Sequence, residues 1–111
     1  MKVAVIGSRS FSDYLLVEST LKTMEIDCVI SGGAKGADKL GAKYAINNNI
    51  ELVEHIPEWG KYGRSAGFKR NHKIINDADV VVAYWDGKSK GTKHSIDLAK
   101  KQNKKVYIIN F

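Results

Sequence analysis

Three glycines within five positions, Gly32, Gly33 and Gly36, separate a short apolar run from a segment of helical periodicity. Glycine allows positive φ and a close approach to a ligand, because it has no Cβ. The helix that follows would direct its unpaired N–H groups toward the same point. We therefore expect an anion, usually a phosphate, at the turn of residues 32–37.

The spacing of these glycines matches neither G-x-G-x-x-G nor the P-loop pattern G-x-x-x-x-G-K-[ST]. A plain strand-to-helix connection explains this turn equally well when it is taken alone. Two more strand ends of similar character, at residues 6–9 and 85–92, favour the interpretation as a ligand-binding turn over that of a plain connection. In a parallel sheet all three would open on one edge, where open α/β folds bind their ligands.

Length and composition are those of an ordinary globular protein. We predict one domain over residues 1–111, with 43% hydrophobic and 27% charged residues, which argues against a disordered or fibrous chain. The longest apolar run, Val80–Trp85, is too short to span a bilayer. No signal peptide is visible, so we expect a cytoplasmic protein with no membrane partner.

The residues that bind metals or form disulfides are few. Cys28 is the single cysteine, which excludes an intramolecular disulfide and favours a buried thiol. His55, His72 and His94 lack the spacing of metal ligands, so we predict no metal and no cofactor. The net charge of +6 favours phosphorylated or polyanionic partners. The lysines are spread along helix faces, so nucleic acid binding stays open without being favoured.

Strand and helix alternate five times along the chain. The predicted strands are residues 3–6, 28–31, 51–56, 80–85 and 105–110. The predicted helices are residues 14–24, 38–47, 66–77 and one that starts at residue 92. This alternation predicts a three-layer α/β/α sandwich with a five-stranded parallel sheet. Right-handed crossovers, with the most apolar strands in the middle, give the order 3-2-1-4-5. On the predicted helix of residues 66–77, Phe68, Ile74 and Ile75 are predicted to face inward.

The segment of residues 57–67 combines the only proline with three glycines, two large aromatics and two cations. A surface loop is one interpretation. We favour a lid, in which Trp59 or Tyr62 stacks on a base or sugar while Lys61 or Arg64 contacts a phosphate. A ten-residue connector would be long for so compact a chain.

Four motifs together resemble the YspA-like proteins of the SLOG superfamily, which joins the Smf/DprA DNA-processing proteins with the LOG phosphoribohydrolases. In chain order the motifs are Gly7-Ser8-Arg9, Gly32-Gly33-Ala34-Lys35-Gly36-Ala37-Asp38, Ala66-Gly67-Phe68-Lys69-Arg70-Asn71 and Trp85-Asp86-Gly87-Lys88-Ser89-Lys90-Gly91-Thr92. The resemblance covers essentially the whole chain. It implies a Rossmann-like fold, a nucleotide-derived ligand and, since relatives form dimers, a homodimer.

The resemblance to the LOG enzymes, which release a base from a nucleoside monophosphate, also implies roles for single residues. Arg70, followed by Asn71, resembles the arginine those enzymes place near the glycosidic bond. Gly91-Thr92 resembles the Gly-Thr of their PGGxGTxxE motif. The position of their catalytic glutamate is Ser95 here, and serine cannot stabilise the oxocarbenium character of the transition state.

Asp38 and Asp86 are the acids that could replace the absent glutamate. Each also has a plain structural role, because Asp38 opens a helix and Asp86 suits a turn, and either could hold ribose hydroxyls. The candidate catalytic residues are therefore Arg70, Asp86 and Asp38. They belong to the alternative function, an N-glycosidic bond hydrolase that acts on a nucleotide.

Our leading hypothesis is a module that senses or sequesters a nucleotide-derived small molecule, such as a nucleoside phosphate or an ADP-ribose-like ligand. N–H groups of residues 32–37 and 91–92 would hold phosphate, and Arg70 would engage two of its oxygens. A second alternative is a protein that binds single-stranded nucleic acid. The predicted ligand-binding residues are Gly7, Ser8, Arg9, Gly32, Gly33, Ala34, Lys35, Gly36, Ala37, Trp59, Tyr62, Asn71, Trp85, Gly87, Ser89, Gly91 and Thr92.

Overall fold

A computed structural model describes residues 1–111 as one five-stranded parallel sheet with helices on both faces. The strands are β1 (Lys2–Gly7), β2 (Cys28–Ser31), β3 (Glu51–Glu54), β4 (Val80–Trp85) and β5 (Lys105–Asn110). The helices are α1 (Tyr14–Leu21), α2 (Ala37–Asn47), α3 (Trp59–Tyr62), α4 (Ala66–Asp77) and α5 (Lys90–Lys101), with a 3-10 turn at Gly63–Ser65. The strand order is β3-β2-β1-β4-β5, which confirms the predicted fold and order.

The central strands are apolar throughout because each of their faces packs on a layer of helices. Val3 and Val5 of β1 belong to the core beneath α1 and α2. Ala4 and Ile6 belong to the core beneath α4 and α5. Side chains alternate between the two faces of a strand, so one apolar run serves two cores. Burying each such valine contributes about 1.5 kcal/mol or more to stability.

Several element ends differ from the sequence prediction. Helix α1 ends at Leu21, three residues early, and β3 ends at Glu54. Helix α5 begins at Lys90, because the Ser89 hydroxyl caps it by accepting a hydrogen bond from the N–H of Thr92 at 3.4 Å. None of the helices combines the length and the hydropathy that crossing a membrane requires.

The inward placement of Phe68 is wrong. Its side chain is 53% exposed, whereas Ile74 and Ile75 are buried as predicted. The ring of Phe68 packs edge-on against that of His94 on α5, with 4.8 Å between the ring centroids. Phe68 therefore lies at the outer edge of the contact between α4 and α5, where a single ring cannot reach the sheet.

Candidate functional site

A cavity of about 490 Å³ opens at the carboxyl edge of the sheet, between β1 and β4. The two strand ends are joined there, since the N–H of Ser8 donates to the carbonyl of Tyr84 at 2.9 Å. The winding direction of the sheet reverses at this point, which is where open α/β sheets bind ligands. Fifteen residues line the cavity, and only three are hydrophobic: Ile6, Gly7, Ser8, Arg9, Ser10, Ala34, Asp38, Arg70, Asn71, Ile74, Asp86, Ser89, Gly91, Thr92 and Ser95.

The structure brings most of the predicted site residues to this cavity. Those that line it are Gly7, Ser8, Arg9, Ala34, Asp38, Arg70, Asn71, Asp86, Ser89, Gly91 and Thr92. Those that do not are Gly32, Gly33, Lys35, Gly36, Ala37, Trp59, Tyr62, Trp85 and Gly87. Whether any of them binds a ligand stays a prediction.

Four lining residues escaped the sequence analysis as ligand-binding candidates: Ile6, Ser10, Ile74 and Ser95. Helical spacing could have found two of them. Ser95 lies three positions after Thr92, and Ile74 lies three positions after Asn71, so each shares a face with a predicted residue. Ile6 and Ser10 carry no such signal, because they only flank the Gly7-Ser8-Arg9 motif.

Arg70 is held in place by two hydrogen bonds. Its Nη1 donates to the carbonyl of Gly32 at 2.8 Å, and its Nε donates to Asn71 Oδ1 at 3.0 Å. A guanidinium has five N–H donors, so three remain for a ligand. Burial lowers the pKa of Arg70, while Asp38 raises it and Arg9 lowers it. The side chain stays charged at any working pH.

Asn71 connects Arg70 to helix α5. While its Oδ1 accepts from Arg70, its Nδ2 donates to the carbonyl of Gly91 at 3.4 Å and to His94 Nδ1 at 3.2 Å. His94 can accept this bond only when Nδ1 is unprotonated. Burial lowers the pKa of His94 from its usual 6.5, and His72 lowers it further. At neutral pH the ring is therefore an acceptor that fixes the Asn71 amide.

The turn of residues 32–37, here called the first glycine turn, uses its amides within the protein. Gly33 N–H donates to a serine hydroxyl of β2 at 3.2 Å, and Ala34 N–H donates to Asp38 Oδ2 at 3.2 Å. Ala37 N–H donates to a carbonyl of the loop after β1 at 3.4 Å. The expectation that this turn presents its amides to a phosphate is wrong for these three, because each already has a partner.

Close contacts explain two glycines of this turn. A Cβ on Gly32 would lie 2.5 Å from Arg70 Nη1, and one on Gly36 would lie 2.4 Å from the carbonyl oxygen of Ser8. Gly36 also has a φ of 88°, which side chains disfavour. Only Ala34 of this turn lines the cavity; the rest of the turn supports Arg70 and the loop after β1.

Asp38 lies beneath the first glycine turn and is only 6% exposed. Burial raises its pKa to about 6, although the N–H of Ala34 and the charge of Arg70 act in the opposite direction. The carboxylate is therefore mostly ionised at pH 7 and can change its charge in mild acid. No group of three or more His, Cys, Asp or Glu side chains is arranged to hold a metal ion.

The segment of residues 86–91, here called the second glycine turn, precedes and begins α5. Asp86 Oδ1 accepts hydrogen bonds from the N–H groups of Ser89 and Lys88 at 2.8 Å each, and these bonds lower the pKa of Asp86. The N–H groups of Lys90 and Gly91 have no hydrogen-bond partner within the protein. Helix N-termini of this kind favour anions.

Ser95 forms part of the cavity wall on α5. The residue is 2% exposed, and its hydroxyl makes no hydrogen bond within the protein. The Ser95 hydroxyl is also not fully enclosed by protein, because Tyr84 OH is the one side-chain polar atom that is both fully buried and without a hydrogen-bond partner. The Ser95 hydroxyl is therefore open to the cavity and available to a ligand.

The predicted stacking residues lie elsewhere. Trp59 is 55% exposed on α3, and its ring approaches Gly67 of α4. Tyr62 packs under the ammonium group of Lys69, which lies 4.7 Å from the ring centroid. Neither side chain lines the cavity in this structure. The segment is not a plain surface loop, because it forms α3 and a 3-10 turn. Its closure over the cavity as a lid stays a prediction.

Trp85 supports the second glycine turn from behind. Its indole N–H donates to the carbonyl of Ser89 at 3.1 Å. The ring packs against the core beneath α4 and α5. Its ring therefore stabilises the turn instead of covering a ligand.

Comparisons with known proteins agree with this geometry. The YspA, cpYpsA-related SLOG family matches residues 1–62 of the chain. The gene 61 protein of Mycobacterium phage D29 is 31% identical over 122 residues, which cover 99% of this chain and 95% of the phage protein.

Among solved structures, the X-ray structure of DNA processing protein A (DprA) from Streptococcus pneumoniae has the same fold. It matches with a TM-score of 0.83 at 22% sequence identity over 99% of this chain. The chain covers 50% of the DprA chain. This likeness concerns the fold, because the identity is low and half of DprA has no counterpart here.

Proposed function

The chain belongs to the YspA, cpYpsA-related SLOG family, as its motifs predicted, and we propose that it binds a nucleotide-derived small molecule in the β1–β4 cavity. Family membership supports a nucleotide- or nucleic-acid-binding role in general. The cavity supports the finer assignment to a small molecule with a phosphate group. In this proposal Arg9 and Arg70 bind the phosphate, and the free N–H groups at the start of α5 add further donors.

The observation that carries the proposal is a pair of arginines without ion-pair partners. Arg9 and Arg70 both line the cavity, and neither forms a salt bridge with a carboxylate. Burial lowers the pKa of Arg70, the charge of Asp38 raises it, and the like charge of Arg9 lowers it by a smaller amount, because the two guanidinium groups repel each other. A phosphate between the two guanidinium groups would remove this repulsion and accept hydrogen bonds from both.

Titration calorimetry with AMP, ADP and ADP-ribose tests the proposal. We expect Arg70→Ala to weaken binding about 10- to 100-fold, because a charge-assisted and partly buried contact is lost. Arg9→Ala has a smaller effect, because Arg9 is exposed to solvent. The control is Lys22→Ala, which also removes one positive charge, from an exposed position outside both the cavity and the segment of residues 57–67.

Two outcomes would contradict this proposal. Absence of binding by all three nucleotides would remove it. Equal losses in Arg70→Ala and Lys22→Ala would mean that only net charge matters. If a single-stranded oligonucleotide then bound with an affinity that fell steeply with salt, the nucleic acid alternative would replace the small molecule.

Hydrolysis of an N-glycosidic bond is the second candidate, and it has an observation of its own. Asp38 and Asp86 line the same cavity as Arg70, yet the pKa of Asp38 is raised to about 6 and that of Asp86 is lowered. Environments that separate the pKa values of two carboxyl groups are typical of acid–base pairs. Chromatographic detection of free base, lost in Asp38→Asn, would favour the enzyme. Unchanged nucleotide would favour the binding module.

A further inference from the structure

We infer that the β1–β4 cavity encloses the phosphorylated ribose of its ligand and leaves the base outside, so that the protein does not distinguish between bases. This inference rests on the proposed function and makes it narrower. It assigns the cavity to a sugar phosphate, and it assigns the Ser95 hydroxyl to a hydroxyl of the ribose.

The first argument is the absence of aromatic side chains from the cavity wall. Its hydrophobic residues are Ile6, Ala34 and Ile74, which are small or narrow. Proteins that recognise a base usually stack it on an aromatic ring. The aromatic side chains of Trp59 and Tyr62 do not reach the cavity. Nothing on the wall offers a base the flat apolar contact that would hold it in the cavity, so the hydrogen-bonding edge that distinguishes one base from another is not read there.

The second argument is the match between the polar groups and a sugar phosphate. Ionised carboxylates only accept hydrogen bonds, and guanidinium groups only donate them. The carboxylates of Asp38 and Asp86 thus suit the hydroxyl donors of a sugar and repel phosphate, while Arg9 and Arg70 suit phosphate. A phosphorylated ribose presents both kinds of partner within one small molecule, whereas inorganic phosphate leaves the acceptors unused.

Ser95 adds a specific contact. Its hydroxyl is nearly inaccessible to bulk solvent, has no partner within the protein and faces the cavity. A hydroxyl in such a position can both donate a hydrogen bond to a ligand in the cavity and accept one from it. Thr92 lies on the same face of α5, but its hydroxyl is already 3.0 Å from that of Ser89. Ser95 is therefore the free hydroxyl on this wall.

Base selectivity is measured with ribose 5-phosphate and the 5′-monophosphates of adenosine, guanosine, cytidine and uridine. We expect all five dissociation constants to lie within about tenfold of one another, because the cavity contacts only the part that they share. A spread of more than about tenfold overturns this inference and leaves the proposed function intact. Failure of all five to bind would overturn this inference, and the proposed function itself would fall only if ADP and ADP-ribose also failed to bind.

The Ser95 contact is measured with Ser95→Ala, and the matched control is Ser19→Ala on the exposed face of α1. We expect Ser95→Ala to lower the affinity for ribose 5-phosphate about fivefold, because the hydroxyl contacts the sugar. The affinity for inorganic phosphate should stay unchanged. An equal loss of affinity for both ligands, or no loss for either, would overturn the assignment of Ser95 to the ribose. Thermal unfolding of both variants shows that the comparison concerns folded protein.

Discussion

The two glycine turns share a sequence signature and differ in what they contact. Each follows a strand and leads into a helix beside the cavity. In the first turn, Gly32 and Gly36 are packed tightly against neighbouring atoms. In the second, a Cβ on Gly91 would meet nothing within 4 Å. Glycine in the first turn leaves space for the protein itself, whereas Gly91 faces open space at the cavity.

The same contrast holds for the backbone amides. Those of Gly33, Ala34 and Ala37 are bonded within the protein, whereas those of Lys90 and Gly91 have no partner. The first turn therefore acts on a ligand through Arg70, which it holds by the carbonyl of Gly32. The glycine spacing alone does not reveal which turn is support and which is binding surface. The hydrogen-bond partners of the backbone amides distinguish the two turns.

The strongest test of this contrast is Gly36→Ala. We expect a loss of roughly 3–4 kcal/mol in the free energy of unfolding, because the new Cβ collides with the Ser8 carbonyl and the φ of 88° is unfavourable for alanine. Urea denaturation measures this loss. The control is Gly91→Ala, for which we expect a change within about 0.5 kcal/mol. Equal stability of the two variants would mean that the first turn is not constrained by packing.

The next effect is a dependence of stability on pH, which comes from Asp38. Its folded pKa is raised to about 6 from 3.8, so the folded state keeps a proton that the unfolded chain releases. The contribution of Asp38 to the free energy of unfolding is therefore largest below pH 4. It falls by on the order of 2–3 kcal/mol as the pH rises to 6. Asp38→Asn cannot ionise and should lack this fall.

Urea denaturation of the wild type and Asp38→Asn at several pH values measures the difference. We expect the stability of the wild type, relative to the variant, to decrease between pH 4 and pH 7. Other titrating groups cancel in this comparison, because the two proteins share them. A constant difference would show that the carboxyl group is not desolvated beneath the first glycine turn.

The second glycine turn is tested by filling its free space. We expect Gly91→Leu to weaken nucleotide binding by about tenfold or more, because the new side chain enters the cavity that Gly91 lines. Stability should stay close to that of the wild type, since no atom lies within 4 Å of the added Cβ. Gly60→Leu is the matched control, because Gly60 is equally open and lies away from the cavity on α3.

The sequence predicted the sheet better than it predicted the turns, and the reason is physical. The apolar runs of β1, β2 and β4 report burial on two faces, and burial is a property of the run itself. The partners of Ala34 N–H depend on the dihedral angles of a turn and on a carboxylate four residues away. A composition that suits a turn does not determine these partners.

The segment around Trp59 shows a second limit. A helix of four residues, such as α3, is too short to display a period, so its aromatics and glycines suggested an irregular loop. The position of Ser95, by contrast, could be read from its helical spacing to Thr92. Side chains that repeat at helical spacing are predictable, and those that depend on how one element packs on another are not.

The smallest effect concerns the link between the two turns. Arg70 reaches the first turn through the carbonyl of Gly32, and Asn71 reaches the second through the carbonyl of Gly91. His94 holds the Asn71 amide in this orientation as long as its Nδ1 is unprotonated. A second proton on His94 removes that acceptor and frees Arg70 from its alignment. We expect phosphate affinity to fall about threefold when His94 becomes charged.

Because its pKa lies below 6.5, His94 should charge only in mild acid, so the fall is expected between pH 7 and pH 5. His72 of α4 and Asp97 of α5 also face the ring, and Asp38 and the ligand phosphate titrate in the same range. The ratio of wild-type affinity to that of His94→Gln isolates the effect, since glutamine offers an acceptor that does not titrate. His72→Gln is the matched control. A ratio that rises on acidification would show that the positive charge of His94 attracts the phosphate more than the lost hydrogen bond weakens it.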